Sequence, residues 1–244
     1  EVGEVYLRHC NAMRDAAEAA AEAVEQVQTE PRGTIRVACP VTLAQSTVGP
    51  VIALFLARYP LVKLDMRVSN RVVDLVEEGV DVALRVRPDL NDSGSLVVKN
   101  LGRTQTFLVC SPALFKRQGV PQSVHALANM DSVAMSAVDG KGSWHLLGPG
   151  DASHTLVHQP RYVADDLLTL KFAVLCGTGM SLMPDYMCRE ELKDGRLVEV
   201  LPGWAPPHGV FHAVYPSRRG MVPAVRRFLD FLGEHTNGEG APVA

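Results

Sequence analysis

The sequence lacks the features that mark membrane proteins and disulfide-stabilised secreted domains. None of its apolar runs approaches the roughly 20 residues that span a bilayer, and its first residues are not a basic stretch followed by an apolar one. Its 5 cysteines are an odd number without a C-x-x-C pair, which is typical of free thiols in a reducing compartment. We therefore expect a folded, cytoplasmic protein without a membrane segment or signal peptide.

An excess of positive charge is missing as well. The 244 residues carry a formal net charge of -3 at pH 7, so the chain lacks the basic footprint that neutralises DNA phosphates. The sequence contains no G-x-S-x-G elbow, H-E-x-x-H helix or Walker loop, and the pair Gly177 and Gly179 lacks the third glycine of a dinucleotide fingerprint. We expect neither an enzyme nor a cofactor, and any DNA contact would come from residues outside this sequence.

What the sequence does contain is the ordinary globular balance, with 47% hydrophobic and 21% charged residues. The first thirty residues show a separate pattern, in which apolar side chains are spaced alternately four and three apart. This spacing is the a/d seam of a coiled coil and predicts a helix on which two chains pair. The alternative is an amphipathic helix that lies on its own domain. The seam residues are Tyr6, Cys10, Met13, Ala17, Ala20, Val24 and Val27.

After Thr34, strand and helix patterns alternate. The predicted strands cover residues 35–39, 62–68, 80–86, 96–110, 132–135, 161–163, 180–183, 197–200 and 210–214. The predicted helices cover residues 44–59, 71–78, 166–175, 185–191 and 223–235. This order indicates an α/β fold with a doubly wound, largely parallel sheet. A second unit begins at Ser111, which we expect to cap a helix with Pro112 at its first position.

Polar groups at strand ends are the candidates for ligand binding, because loops and helix N-termini converge there in open α/β sheets. Pro40, Val41 and Thr42 directly follow the first strand, and the Thr42 hydroxyl either contacts a ligand or only caps the next helix. Arg85 ends a strand, where its guanidinium could pair with an anionic ligand or with a neighbouring carboxylate.

The second unit offers further candidates. Asp165 is predicted to cap the apolar helix, and Gly177 and Gly179 are predicted to end it, where a small residue lets another backbone come close. Trp144 lies in a glycine-rich stretch and either stacks on a ligand or packs in the core.

Histidine and cysteine offer two weaker possibilities. His154 and His158 are four residues apart and could bind a metal on a helix, but Pro160 and turn residues beside them argue against a helix, and we expect no metal site. Cys110 and Cys176 could sense redox state, although nothing in the sequence indicates a thiol of low pKa.

The order of motifs along the chain resembles the LysR-type transcriptional regulators. The segments that carry this resemblance are 28–37 (QTEPRGTIRV), 55–60 (FLARYP), 74–85 (DLVEEGVDVALR), 110–113 (CSPA), 177–184 (GTGMSLMP) and 213–219 (AVYPSRR). They extend over nearly the whole chain, and their combination in this order is specific. Carried over by position, the residues that resemble the effector-binding places of the family are Pro40, Val41, Thr42, Arg85, Ser111, Asp165 and Gly177 to Met180.

The resemblance implies two Rossmann-like subdomains joined by two crossover strands, as in type 2 periplasmic binding proteins, after a long linker helix. The expected bounds are 1–31 for the linker helix, 33–109 with 211–236 for subdomain I, 110–210 for subdomain II and 237–244 for a tail. The resemblance also implies a small-molecule effector in the cleft, a homodimer or homotetramer, and promoter DNA bound by a winged helix-turn-helix that this sequence does not include. An anionic or aromatic effector is compatible with Arg85 and its apolar neighbours.

Two other functions share parts of this pattern. A solute-binding protein of a transport system has the same two lobes but no use for a coiled-coil helix. An enzyme acting in the cleft would need a nucleophile, base or metal constellation, and none is visible in the sequence.

Overall fold

The computed structural model describes residues 30–88, 96–216 and 222–236, together with five residues near the N-terminus. Those five are Gly3, Tyr6, His9, Cys10 and Met13, and all of them are helical. Tyr6 and Met13 are 72% and 68% exposed, so these two seam residues do not pack on the chain's own domain. Pairing of two chains along this helix stays a prediction, and Ala17, Ala20, Val24 and Val27 lie outside the described residues.

Five strands form the sheet of subdomain I. They are β1 (Gly33–Cys39), β2 (Val62–Val68), β3 (Val82–Arg87), β4 (Leu96–Thr104) and β12 (Gly209–Pro216), in the order β2-β1-β3-β12-β4. β1 pairs in parallel with β2 and β3, whereas β12 runs antiparallel to both β3 and β4. The sheet is therefore mixed, and the prediction of a largely parallel sheet holds only for its first three strands.

One long helical segment covers this sheet. It consists of α1 (Val41–Leu43), a π-helical turn (Ala44–Val48) and α2 (Gly49–Arg58). By length and composition the segment from 41 to 58 could cross a membrane. Its apolar side is a core face instead, because the ring of Phe55 is fully buried and lies 5.3 Å and 5.4 Å from the rings of Phe228 and Phe231 on α6 (Pro223–Thr236).

The prediction of a helix over residues 71–78 is wrong. The carboxylate of Asp74 accepts hydrogen bonds from the backbone N–H groups of Val76 and Glu77 at 2.9 Å and 3.0 Å, and the segment forms turns. Aspartate favours turns because its side chain offers the backbone a partner outside the helix. The β-branched Val72 and Val73 add little helix propensity to oppose it.

Subdomain II is built around three short sheets. β5 (Thr106–Cys110) lies between β10 (Ser181–Pro184) and β11 (Val198–Glu199), antiparallel to both, and β6 (Val133–Ala134) runs parallel to β9 (Tyr162–Val163). A parallel bridge between Ser132 and Met180 joins these two sheets. The helices of this subdomain are α3 (Pro112–Gln118), α4 (Leu167–Leu175) and α5 (Asp185–Lys193), with 3-10 turns at Val124–Asn129 and Pro149–Asp151.

The third sheet is an antiparallel hairpin that the sequence analysis did not predict. Its strands are β7 (Gly142–Leu147) and β8 (Ser153–His158). On β7 the buried residues alternate with exposed ones, as a half-buried strand requires. The glycines and polar residues of the segment concealed this alternation.

The chain passes between the two subdomains near Gln105 and Gly209. β4 ends at Thr104 in the first sheet and β5 begins at Thr106 in the second, while β12 returns to the first sheet. The predicted bounds, at 109/110 and 210/211, assign residues 106–109 of β5 to subdomain I, and we propose bounds that follow the sheets instead.

Candidate functional site

A cavity of about 140 Å³ lies at the carboxyl ends of the three parallel strands of subdomain I. The lining residues come from the ends of β1 and β3 and from the segment after β2. Among them are Pro40, Ser69, Asn70, Arg71, Arg85 and Arg87. The lining contains three arginines and, among the residues that the structure describes, no carboxylate. This wall of the cavity therefore suits a negatively charged group.

Arg71 already has a fixed carboxylate partner. Its guanidinium donates two hydrogen bonds to Glu78, one of them at 2.7 Å, and Arg67 lies 3.4 Å from the same carboxylate. The hydrogen bonds from Arg71 lower the pKa of Glu78, so the carboxylate stays ionised. The charge of Arg71 is thus offset within subdomain I.

Arg85 and Arg87 extend from the same face of β3, because successive side chains of a strand alternate in direction. Arg85 donates to the carbonyl of Val73 at 3.4 Å, which holds its guanidinium at the cavity wall. The side chain of Arg87 makes no hydrogen bond or ion pair within the described part of the chain, and it is half-buried. Arg85 was predicted from the sequence and Arg87 was missed, although Arg87 lies two residues further along the same strand and so on the same face.

Pro40, Val41 and Thr42 lie where β1 meets α1, but their contacts differ. Pro40 lines the cavity and is the N-cap residue of α1, without a side-chain cap hydrogen bond. Thr42 is buried, and its hydroxyl oxygen lies 3.5 Å from that of Tyr186 on α5. The alternative in which Thr42 caps the helix is therefore wrong, because Pro40 is the N-cap residue. Its hydroxyl faces subdomain II.

Tyr186 was missed because nothing in the sequence distinguishes it from any other aromatic residue of an amphipathic helix. Its ring packs against the core of subdomain I and also against a core cluster of subdomain II. Burial raises the pKa of its phenol, so the hydroxyl remains neutral and can donate a hydrogen bond.

Asp165 does not cap α4. That role belongs to Asp166, whose carboxylate accepts a hydrogen bond from the backbone N–H of Thr169 at 2.6 Å, and this bond lowers the pKa of Asp166. The backbone carbonyl of Asp165 instead accepts a hydrogen bond from the amide of Asn70 at 2.9 Å. Asn70, which the sequence analysis also missed, follows β2 by two residues and could have been found by the same strand-end argument.

Ser111, Gly177, Gly179 and Met180 lie together in subdomain II and do not line the cavity described above. Ser111 caps α3 as predicted, accepting from the N–H of Ala113 at 3.1 Å. Gly177 follows α4 with φ +73°, a conformation that favours glycine. A Cβ at Gly179 would lie 2.8 Å from the backbone of Ser132, and Met180 is fully buried. These placements are structural, and a ligand role for the four residues stays a prediction.

Trp144 is part of the core of subdomain II, as the packing alternative expected. It is 9% exposed, and its indole ring lies 3.9 Å from the imidazole of His158. His158 is itself buried and hydrogen-bonded to Ser132, while His154 contacts His125 at the edge of the hairpin. Within the described ranges, no group of three His, Cys, Asp or Glu residues could hold a metal ion.

The cysteines are mostly buried, as expected for core thiols. Cys39, Cys110 and Cys188 are buried, Cys10 is half-buried, and Cys176 is exposed. Burial raises the pKa of Cys110 to about 12, so its thiol is almost entirely protonated at neutral pH. Because the thiolate is the reactive form, this environment disfavours the redox pair of Cys110 and Cys176.

Comparisons with known proteins agree with this architecture. The model of the LysR substrate binding domain matches residues 28–237. An HTH-type transcriptional regulator of Xanthomonas campestris pv. campestris (strain 8004) is 35% identical over 243 residues, which cover 97% of this chain and 69% of that protein. The regulator PtxR of Pseudomonas aeruginosa is 30% identical over 239 residues, covering 97% of this chain and 75% of its own length.

A solved structure supports the fold in three dimensions. The LysR-type regulator CrgA from Neisseria meningitidis superposes with a TM-score of 0.76 at 25% identity, covering 98% of this chain and 80% of that one. Regulators of this family bind small-molecule effectors, form oligomers and bind DNA, and their regulatory domains have the two-subdomain fold of periplasmic binding proteins. The family model, the relatives and the two-subdomain architecture together show that this chain belongs to the LysR-type transcriptional regulators and contains their effector-binding domain.

Proposed function

We propose that this chain senses a small anionic molecule in the cavity at the carboxyl ends of β1, β2 and β3. The observation that carries the proposal is the cationic cavity wall with Arg85 and Arg87 on one face of β3. A guanidinium pairs with a carboxylate through two parallel hydrogen bonds, which gives both strength and orientation. Arg87 is the residue that we assign to the ligand, because Arg71 is already held by Glu78.

The size of the cavity favours a small effector. Ligand pockets commonly measure about 300–1,000 Å³, whereas this cavity has about 140 Å³. Val72 and Val73 accompany the arginines in its lining. A compact acid with a short apolar or aromatic part fits this combination of charge and surface.

The proposed response follows from the two-subdomain fold. A ligand that binds one arrangement of the subdomains better than another shifts the population toward it. We propose that this shift reaches promoter DNA through a winged helix-turn-helix connected by the linker helix, in a cytoplasmic homodimer or homotetramer. The chain is then a sensor without catalytic activity. A transport role is disfavoured because the relatives are transcriptional regulators.

The proposal is tested with a matched pair of probes, benzoate and benzamide, which are similar in shape and differ in charge. Isothermal titration calorimetry is expected to show binding of benzoate and not of benzamide. The variant Arg87→Gln is expected to weaken benzoate binding by about tenfold or more, since it removes charge-assisted hydrogen bonds. Arg58→Gln, at the exposed end of α2, is the control and leaves the affinity unchanged.

Three results would contradict the proposal. Equal affinity for benzoate and benzamide would show that charge is not recognised. Unchanged benzoate affinity in Arg87→Gln would remove this residue from the site. If neither benzoate nor the smaller acetate binds, the assignment of a small carboxylate is overturned.

A further inference from the structure

Asn70 connects the two subdomains through both ends of one side-chain amide. Its Oδ1 accepts a hydrogen bond from the backbone N–H of Val41 at 3.2 Å. Its Nδ2 donates to the backbone carbonyl of Asp165 at 2.9 Å. Val41 begins α1 in subdomain I, whereas Asp165 precedes α4 in subdomain II. A single residue therefore contacts both sides of the cleft.

The chemistry of the two backbone partners fixes the orientation of this amide. An asparagine amide accepts through its oxygen and donates through its nitrogen. The N–H of Val41 can only donate and the carbonyl of Asp165 can only accept, so a flipped amide would lose both bonds. Aspartate, leucine or alanine at position 70 could not form the same pair of contacts.

Val41 depends on this partner more than most residues at a helix start. Its N–H is one of the amides that find no acceptor within their own helix. Pro40 provides no side-chain cap hydrogen bond. Asn70 therefore supplies, from the segment after β2, an acceptor that the chain around α1 does not provide.

A second polar contact across the cleft is longer. The hydroxyl oxygens of Thr42 and Tyr186 lie 3.5 Å apart, well beyond the usual separation of about 2.7–2.8 Å for hydroxyl pairs. The link from Asn70 to Asp165, at 2.9 Å, has ordinary hydrogen-bond geometry. It is the shorter of these two bonds between the subdomains.

We infer that Asn70 is a positioning residue that sets the angle between the two subdomains. Its amide ties the start of α1 to the loop before α4, and the same side chain forms part of the cavity wall. A ligand in that cavity would contact the residue that holds Asp165. This last consequence rests on the proposed ligand site, whereas the hydrogen-bonded link exists without a ligand.

The experiment uses Asn70→Asp, because aspartate keeps the acceptor for Val41 and loses the donor to Asp165. The loss of one ordinary hydrogen bond corresponds to a shift of about fivefold between two arrangements. Asn100→Asp is a matched control, since exposed Asn100 on β4 accepts from the N–H of Gly102 at 2.9 Å, within its own subdomain.

The readout is the distance between two spin labels measured by double electron–electron resonance without ligand. One label is placed on the exposed native Cys176 in subdomain II and the other on Lys63→Cys in β2, in a Cys10→Ser background. The distance distribution is expected to shift in Asn70→Asp and to stay unchanged in Asn100→Asp. Hydrogen exchange at the Val41 amide is expected to stay protected in Asn70→Asp and to accelerate in Asn70→Ala.

An unchanged distance distribution in Asn70→Asp overturns the inference. A shift of the same size in Asn100→Asp also overturns it, because the effect would then not depend on the link to Asp165. Neither result requires a bound ligand. A failure of benzoate and acetate to bind, by contrast, overturns the proposed function alone.

Discussion

The buried pair of Ser132 and His158 provides a direct test of the energetics of subdomain II. Ser132 Oγ lies 2.6 Å from His158 Nδ1, and the two residues are 0% and 3% exposed. Within the described residues, His158 Nε2 has no hydrogen-bond partner. The variant Ser132→Ala would therefore leave both ring nitrogens without a partner.

The cost of this change follows from the loss of the single hydrogen bond of a buried imidazole. Leaving a buried polar group unsatisfied costs about 1–3 kcal/mol, and we expect the free energy of unfolding to fall by about 2 kcal/mol. The replacement removes one atom, so a cavity term adds little. Thr155→Ala, at an exposed position on β8, is the control and should change stability by less than about 0.5 kcal/mol.

The same pair predicts how stability depends on pH. Burial lowers the pKa of His158 below its ordinary value of 6.5, so the unfolded chain binds more protons than the folded one as the pH falls through this window. The contribution of the neutral, buried His158 to stability is complete above pH 6.5 and is lost progressively below it. The double variant Ser132→Ala/His158→Phe should lose this part of the pH dependence.

Urea unfolding at pH 7.5 and at pH 5.5 measures both effects. A free energy of unfolding of Ser132→Ala equal to that of the control at pH 7.5 would contradict the prediction. A double variant less stable than Ser132→Ala would contradict it as well, because His158→Phe removes the ring nitrogens that lack a partner.

Two further predictions concern the helices. Gly49→Ala should lower the free energy of unfolding by about 1–3 kcal/mol, because the added Cβ would lie 2.5 Å from the carbonyl oxygen of Ala44. The control is Ala53→Gly on the exposed face of α2, which should lower it by only about 1 kcal/mol in the same urea assay. Glu191→Leu should lower the free energy of unfolding by about 3 kcal/mol. In the protein the Lys171 ammonium lies 2.7 Å from the Glu191 carboxylate and its side chain is 17% exposed, so the variant leaves a largely buried charge without this partner. Adding Lys171→Met should restore most of the loss, and a double variant no more stable than the single one would contradict this.

Local signals in the sequence were sufficient where neighbouring residues decide the structure. β2 was predicted with its observed bounds, and Ser111 caps α3 with Pro112 at the first helical position. Both depend on short-range features, which are the period of apolar residues and a side chain that bonds its own backbone. The segment 71–78 failed because two local preferences conflict there, and the carboxylate of Asp74 prevailed over a helical period.

The candidate site was predictable in part. Pro40 and Arg85, which line the cavity, were predicted because they lie at strand ends, and Asn70 and Arg87 lie at positions of the same kind. A position at a strand end does not reveal which way a side chain faces, so Thr42 was grouped with residues that face the cavity. Only the packing of α5 against α1 places the hydroxyl of Thr42 opposite Tyr186.

Most of the alternation of strands and helices, the helical period of the N-terminal segment and the family to which the motifs belong could be predicted from the residues in order along the chain. These properties depend on residues close in the chain or on motifs in a fixed order. The antiparallel direction of β12 and the amide that connects Val41 with Asp165 became visible only in the folded chain. The two hydrogen bonds of Asn70 join residues 29 and 95 positions apart in the chain. The first forms when subdomain I folds, and the second forms only where the two subdomains pack together, so neither can be found from residues close in the sequence.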